Sequence, residues 1–387
     1  LLVRTPGRLP THLEEAMQDF DPNNAATTEG LFGLSTERPA LVRVLPVPID
    51  ATASFMRGTA DSRKYILRAS HQVDLFHPHV DSPWREGIVL ETTAKNVAVL
   101  RHQRDESHVA VTNFYRHPDL QNGQLIPSPA FGEYCDGREE TLNRLARKGG
   151  LSRTDMENAL GDHCDPFSDV GPRAAGGVVS QAITVQSVVF EPEVQSVQVS
   201  VGDAPTGWGP YVEAAWDWAA PVGMQIQEVD ETEGRITSGY GDGPKGEAYE
   251  LWLEATRVDV LHHNPEETGA LIEKAVRLDP TAPSYRFMAA MFELRKGHFA
   301  KALEHLEVGL EHEQATFRRA QSLLWASRAA HHAGDPQKAK AMRAEIRILN
   351  DPYIDELQEM ARKEERKPYS AGKLRKVSYN IMMVDAL

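Results

Sequence analysis

Cysteine is nearly absent from this chain: Cys135 and Cys164 are the only two in 387 residues. Two thiols form at most one bridge, which excludes a disulfide framework. Neither stands in the short pair spacing of a zinc ligand set, and no metal site is expected. The chain also lacks any run approaching the ~20 apolar residues that cross a bilayer as a helix, so no membrane span is expected. Positive charge is in deficit, with 42 Lys and Arg against 56 Asp and Glu and a net charge of −14. That balance argues against a nucleic-acid partner, whose phosphates favour a basic stripe. The local basic runs, Arg362-Lys363 and residues 373–376, read as solvated surface. The chain begins Leu1-Leu2-Val3-Arg4, with neither an initiator Met nor the pattern of a signal peptide, and a preceding segment is expected.

What is present is ordinary globular composition, 41% hydrophobic and 25% charged, at a length that suggests two or three domains. Residues 1–85 carry few signals and are grouped with the α+β region that follows. A helix is expected at 11–19, where Thr11 and Glu14 have capping-box spacing, and a strand at 41–47. Residues 86–220 have a β texture. Strands are expected at 87–92, 97–101 and 109–113, then helices at 138–147 and 152–160. Ser152 suits the N-cap of the second helix, with Asp155 and Glu157 in the first turn, where carboxylates favour the dipole. Strands at 183–191 and 194–201 follow, joined tightly enough at Glu191-Pro192-Glu193 for a hairpin. Strands, helices and strands again predict an α+β layered domain. Residues 221–245, rich in Gly and acidic residues, read as a linker.

Residues 246–352 align with themselves. Trp252, Ala275 and Pro280 set a frame that Ala290, Ala302, Leu306 and Gly309 repeat, and Ser327, Ala339 and Ile346 repeat it again. The steps from Gly297 to Gly334 and from Ala302 to Ala339 are both 37 residues, and Leu278-Asp279-Pro280 recurs in form at Asn350-Asp351-Pro352. Small residues where helices cross and Pro after a second helix resemble tetratricopeptide repeats. Arg343 departs from the pattern, which favours a large apolar residue there. Such hairpins bury their apolar faces only by stacking on neighbours, and the resemblance implies a docking module for a protein partner. Residues 353–387 are read as a C-terminal tail.

An ordered set of segments in the β-rich region carries a second resemblance. Val109-Ala110-Val111-Thr112-Asn113 precedes Phe114-Tyr115-Arg116-His117-Pro118. Then come Gly137-Arg138-Glu139-Glu140-Thr141-Leu142 and Leu160-Gly161-Asp162-His163. The strand Thr184-Val185-Gln186-Ser187-Val188-Val189-Phe190-Glu191-Pro192 follows, and last Val199-Ser200-Val201-Gly202-Asp203-Ala204-Pro205 and Gly209-Pro210-Tyr211-Val212. This order resembles the C-terminal half of the acyl-coenzyme A:6-aminopenicillanic acid acyltransferase family, of the N-terminal-nucleophile hydrolases, over about residues 86–215. The resemblance implies part of an αββα sandwich and a precursor that cuts itself just before a cysteine. The freed α-amine serves as base for that thiol, and an acyl group passes from a small-molecule amide or thioester to water or an amine, with no cofactor. It implies that Asn113 donates to the oxyanion of the tetrahedral intermediate, that Thr112 and Phe114 lie beside the substrate, and that Arg173 is the candidate for the family's catalytic Arg. Phe114 stands where the family usually has His. The nucleophile would lie upstream of Leu1.

Each of these residues has a plainer reading. Asn113 at a strand end suits the closing of a turn. Arg173 sits in a loop, where surface exposure is ordinary, and His117 before Pro118 reads as structural or exposed. Cys164 is flanked by His163 and Asp165, but side chains adjacent in sequence seldom converge. The pairs His262-His263 and His331-His332 point about 100° apart on a helix and do not suit one ion. The leading expectation is acyl transfer or amide hydrolysis with a docking module. The alternative is a non-catalytic scaffold working through its repeats.

Overall fold

The computed structural model describes residues 65–67, 88–92, 97–101, 110, 112–121, 124, 128–148, 151–168, 171–191, 196–215, 240–241 and 243–386. The chain divides into two compact units, Leu1–Leu125 and Ile126–Leu387. The expected helix at 11–19 and strand at 41–47 lie outside the described residues.

In the first unit β1 (Tyr65–Leu67), β2 (Ile88–Thr92) and β3 (Val97–Arg101) form an antiparallel sheet in that order. Ile88 stands opposite Arg101, and Thr92 opposite Val97. β2 and β3 fall where alternation of β-branched residues and turn chemistry place them. A strand at 109–113 does not form over its described residues: Ala110 and Thr112 belong to no strand and Asn113 lies in a bend. Tyr115 and Leu120 are buried in one small cluster with Ala98. Reaching it turns the chain out of extended conformation into the short helix α1 (Pro118–Gln121).

The second unit opens with α2 (Pro129–Ala146), whose N-cap Ser128 accepts from the Phe131 N–H at 3.2 Å with Pro129 at the first helical position. The helix starts well before residue 138, because Ser128-Pro129 supplies the start signal. In α3 (Arg153–Leu160), Ser152 and Asp155 complete a capping box. β4 (Val188–Glu191), β5 (Ser196–Ser200) and β6 (Tyr211–Ala215) form a second antiparallel sheet in sequence order, with Val188 opposite Val199 and Val199 opposite Val212. The α+β class holds, with helix predominant and the sheets small.

From residue 244 the chain is helical: α4 (Pro244–Arg257), α5 (Pro265–Leu278), α6 (Pro283–Lys296), α7 (Phe299–His312), α8 (Thr316–His332), α9 (Pro336–Ile346) and α10 (Asp355–Arg366). Proline at the first helical position starts α4, α5, α6 and α9. Gly297 ends α6 in the left-handed region (φ 81°), which only glycine adopts freely, and the His298 N–H reaches back to the Glu293 carbonyl at 2.9 Å. Each of these helices packs on its neighbours in sequence. Of the residues that set the repeating frame, Trp252, Ala275, Ala290, Ala302, Leu306, Ser327, Ala339 and Ile346 are at most 1% exposed and Gly309 is buried, while Pro280 is exposed. Arg343 is buried as well. Among the described residues no helix is long and apolar enough to cross a membrane.

Residues 353–387 are not a tail over their described part. They form α10, α11 (Ala371–Leu374) and a hairpin of β7 (Tyr379–Asn380) and β8 (Asp385–Ala386). Ile354, Ala361, Leu374, Val377, Ile381 and Val384 are buried in the main core. Their apolar spacing is irregular, which is why the stretch reads as a tail in sequence. That same core takes in Ala130, Ala174, Ala175, Trp208 and Tyr240, so the helical array and the β-rich part of this unit share one interior. Two close approaches need glycine: a Cβ on Gly137 would stand 2.3 Å from the Gly177 Cα, and one on Gly132 would meet the Tyr353 ring at 2.2 Å.

Glu293 sits near the C-terminus of α6, where the helix dipole disfavours a carboxylate. Burial alone would raise its pKa, but hydrogen bonds from Lys296 (2.9 Å) and His298 (2.7 Å), with the charge of Lys301, outweigh burial and hold it at about 2, below its ordinary 4.5. Stability from this cluster is therefore full above about pH 4.5 and drains away as pH falls towards 2. In acid titrations followed by circular dichroism, Glu293→Gln should flatten the stability loss across that window. An unchanged profile would show that the cluster contributes nothing.

Candidate functional site

The residues singled out by sequence fall in both units. In the first, Thr112 is buried, Asn113 is exposed, and Phe114 and Tyr115 are buried. This bend anchors itself on both sides of Asn113 and leaves the Asn side chain facing outward. His117 lies 3.6 Å from Asp119 and accepts from the Asp119 N–H at 3.3 Å, a local role in starting α1.

Arg173 belongs to the second unit, and the expectation of a surface position is wrong. It is 4% exposed and forms a two-pronged pair with Glu313, at 2.9 and 2.6 Å, with Asp165 at 3.4 Å. Glu313 follows α7, 140 residues further along the chain. Burial by itself would lower the Arg173 pKa, yet Glu313 and Asp165 hold it above the ordinary arginine value. The loop that carries Arg173 folds back on itself: its N–H donates to the His163 carbonyl at 2.8 Å, and Ser180 N–H to the Asp162 carbonyl at 2.9 Å. Loop chemistry marks residues 165–177 as irregular. It does not reveal that residues 173–177 of that segment are buried.

A second buried pair lies in the same network. Arg318 of α8 donates to Glu133 of α2 through Nε at 3.0 Å and Nη2 at 2.7 Å. Its Nη1 reaches the carbonyls of Met383 and Val384, each at 2.7 Å. Burial raises the Glu133 carboxyl, partly offset by Arg318. Burial likewise raises Asp385, which accepts from Gln321. No local motif marks Glu133, Asp165, Glu313 or Arg318, because their partners are distant in sequence. A small pocket lies beside the buried residues Arg173, Glu313, Arg318, Gln321 and Val384. Its enclosed part holds about one water, too little for an acyl substrate.

His163 is fully buried in a box of aromatic rings. Trp208, Tyr240 and Tyr249 stand edge-on to it at 5.2, 5.3 and 4.9 Å between centroids. Its Nδ1 lies 3.3 Å from the Arg173 carbonyl, and burial lowers its pKa to about 3. A neutral imidazole of this kind does not serve as a base near neutrality. The Cys164 residue is exposed, yet partial desolvation of its thiol, with Asp162 and Asp165 nearby, pushes its pKa up to about 11. That is the opposite of an activated nucleophile. Cys135 is buried in α2.

The His263 Nδ1 lies 3.1 Å from the Asp259 carbonyl, and the His332 Nε2 lies 2.6 Å from the Tyr369 carbonyl, so each ring serves a local contact. Among the described residues no group of three or more His, Cys, Asp or Glu could hold a metal. No protein-family model, curated protein or solved structure matches the chain.

Two outcomes test this geometry. Arg173→Ala leaves Glu313 and Asp165 as buried unpaired carboxylates and should cost about 3–5 kcal/mol in denaturant unfolding. A change under 1 kcal/mol would contradict a structural role for the pair. His163 stays neutral when folded but takes a proton near pH 6.5 when unfolded. Its burial therefore penalises folding progressively as pH falls from about 6.5 towards 3, by about 1.4 kcal/mol per pH unit. His163→Phe should remove that component of the pH profile, read as the difference between the two proteins.

Proposed function

We propose that the protein carries out acyl transfer or amide hydrolysis with a domain of the N-terminal-nucleophile type, to which a tetratricopeptide-like helical array is joined. The ordered segments of the β-rich region carry this reading, and those between 184 and 212 meet within the second unit. The Thr206 N–H donates to the Thr184 carbonyl at 2.8 Å, and the Ser200 N–H to the Ser187 carbonyl at 2.9 Å. The Ser187 N–H donates to the Ser200 hydroxyl at 3.0 Å, and the Arg173 N–H locks to the His163 carbonyl. Of the segments that resemble one family in order, those that carry β4, β5 and β6 thus pair in one sheet, which supports the reading.

In this reading a cysteine upstream of Leu1 supplies the thiol and its own α-amine the base. The thiolate attacks the carbonyl carbon, the amine or thiol leaves with a proton, and water or an amine then takes the acyl group. Asn113, exposed beside buried Thr112 and Phe114, offers its side-chain amide to the oxyanion. Arg173 supports the framework from its ion pair with Glu313 and is withdrawn as the candidate catalytic arginine. In the complete protein, Asn113→Ala should lower turnover of a chromogenic amide about 10²-fold or more. Unchanged turnover would remove Asn113 from the site, and a coding region without an upstream cysteine would end the mechanism.

A non-catalytic scaffold is the second reading. It is favoured by the state of the thiols: Cys164 has a raised pKa and Cys135 is buried, so this chain's own cysteines are unsuited to nucleophilic attack. The helical hairpins then carry the function by holding a protein segment. A complete protein that neither self-cleaves nor turns over amides, yet retains a specific partner, would favour it.

A further inference from the structure

The two buried arginine–glutamate pairs share their bonds differently. Arg173 gives Nη1 to Glu313 Oε1 at 2.9 Å and Nη2 to Oε2 at 2.6 Å, one bond to each oxygen. Arg318 instead sends both Nε, at 3.0 Å, and Nη2, at 2.7 Å, to the same Glu133 oxygen, Oε2. Glu133 Oε1 is buried and takes no hydrogen bond. An ionised carboxylate offers two equivalent acceptors, whereas a neutral carboxyl offers one carbonyl oxygen and one hydroxyl donor. Glu133 shows the second pattern.

Asp165 supplies the matching acceptor. It takes the Phe167 N–H on Oδ1 at 2.9 Å, while its Oδ2 is buried without a hydrogen bond, 3.4 Å from Arg173 Nη1. Both open oxygens border Gly176: a Cβ there would stand 3.3 Å from Asp165 Oδ2 and 3.9 Å from Glu133 Oε1. We propose that Glu133 and Asp165 share one proton between these two oxygens, which makes the joint between α2 and the loop at 165–177 a proton-binding site that weakens as pH rises. Charge balance supports this. Glu133, Asp165, Glu313 and Asp385 face only Arg173 and Arg318, and all six are buried. With four carboxyls ionised against two guanidiniums, the surplus negative charge would lie out of water, which is costly. One shared proton reduces the surplus and still leaves the Glu133–Asp165 pair an anion facing Arg318. Burial raises the Glu133 carboxyl above its ordinary 4.5, Arg318 opposes the rise, and Asp165 adds to it. The folded chain therefore holds a proton that the unfolded chain releases. Its contribution to folding is full below about pH 4.5 and falls by up to about tenfold in the equilibrium per pH unit above that, until Glu133 ionises. The site lies apart from the acyl-transfer chemistry and does not rest on it.

The test compares denaturant unfolding of the full chain and of Glu133→Gln from about pH 4.5 upward. The Gln carbonyl still accepts from Arg318, and its NH₂ donates where the shared proton lies. The variant's stability relative to the parent should rise with pH, by up to about tenfold in the folding equilibrium per unit. A difference that stays flat or falls, as two ionised carboxylates bridged by water would give, overturns the proposal. If the variant does not fold, the parent decides. With carbon-13 in the Glu side-chain carboxyls, one carboxyl should ionise at higher pH than the others in an NMR titration. Glutamates that all ionise at or below their ordinary range overturn the proposal as well. Either result leaves the amide-turnover experiment on Asn113 untouched.

Discussion

Two guanidiniums, Arg173 and Arg318, hold the second unit together from inside. One ties an irregular loop of the β-rich part to the end of α7, and the other ties α2 to α8 and to the C-terminal hairpin. Charges taken out of water are tolerated only when paired and fully hydrogen-bonded, so each arginine specifies where two distant segments meet. A hydrophobic contact would slide. A two-pronged Arg–carboxylate pair does not, because both bonds must be in place at once. Glu313, Asp165 and Glu133 therefore fix the placement of the loop at 165–177 and of α2 relative to the helices.

The consequence is that the helical array completes the interior of its neighbour. Tyr249 of α4 stacks on Tyr240 with centroids 4.4 Å apart, and both enclose His163 from the β-rich part. Trp208, next to β6, packs into the same box. Deleting the array would expose this aromatic box and strand Arg173. A functional role for the array is thus inseparable from the stability of residues 126–215.

Local chemistry was legible in the sequence. Ser152 caps α3 with Asp155 in its first turn as expected, β2 and β3 lie where expected, and Trp252, Ala275, Ala290, Ala302, Leu306, Ser327, Ala339 and Ile346 of the repeating frame are buried. Long-range electrostatics were not. Arg173 in a Gly- and Pro-flanked loop looks like surface, since nothing nearby in sequence announces a partner 140 residues away. The C-terminal segment was unreadable for a related reason: Val384, Asp385 and Glu364 meet α8 while Tyr379 meets α6, and its buried residues follow no single period. For the site, the sequence picks out Thr112, Asn113 and Phe114 as a unit, and the fold exposes Asn113 between buried neighbours. The buried network of Glu133, Asp165, Glu313 and Arg318 emerges only from the fold.

The described residues between 128 and 386 are expected to unfold as one body, because their core and buried ion pairs are common. Amide hydrogen exchange of the full chain under increasing denaturant tests it most directly, by comparing peptides from α3 and β5 with peptides from α6 and α8. A common midpoint and slope for all four are expected. Loss of protection in α3 and β5 while α6 and α8 remain protected would contradict it and make the array an independent module.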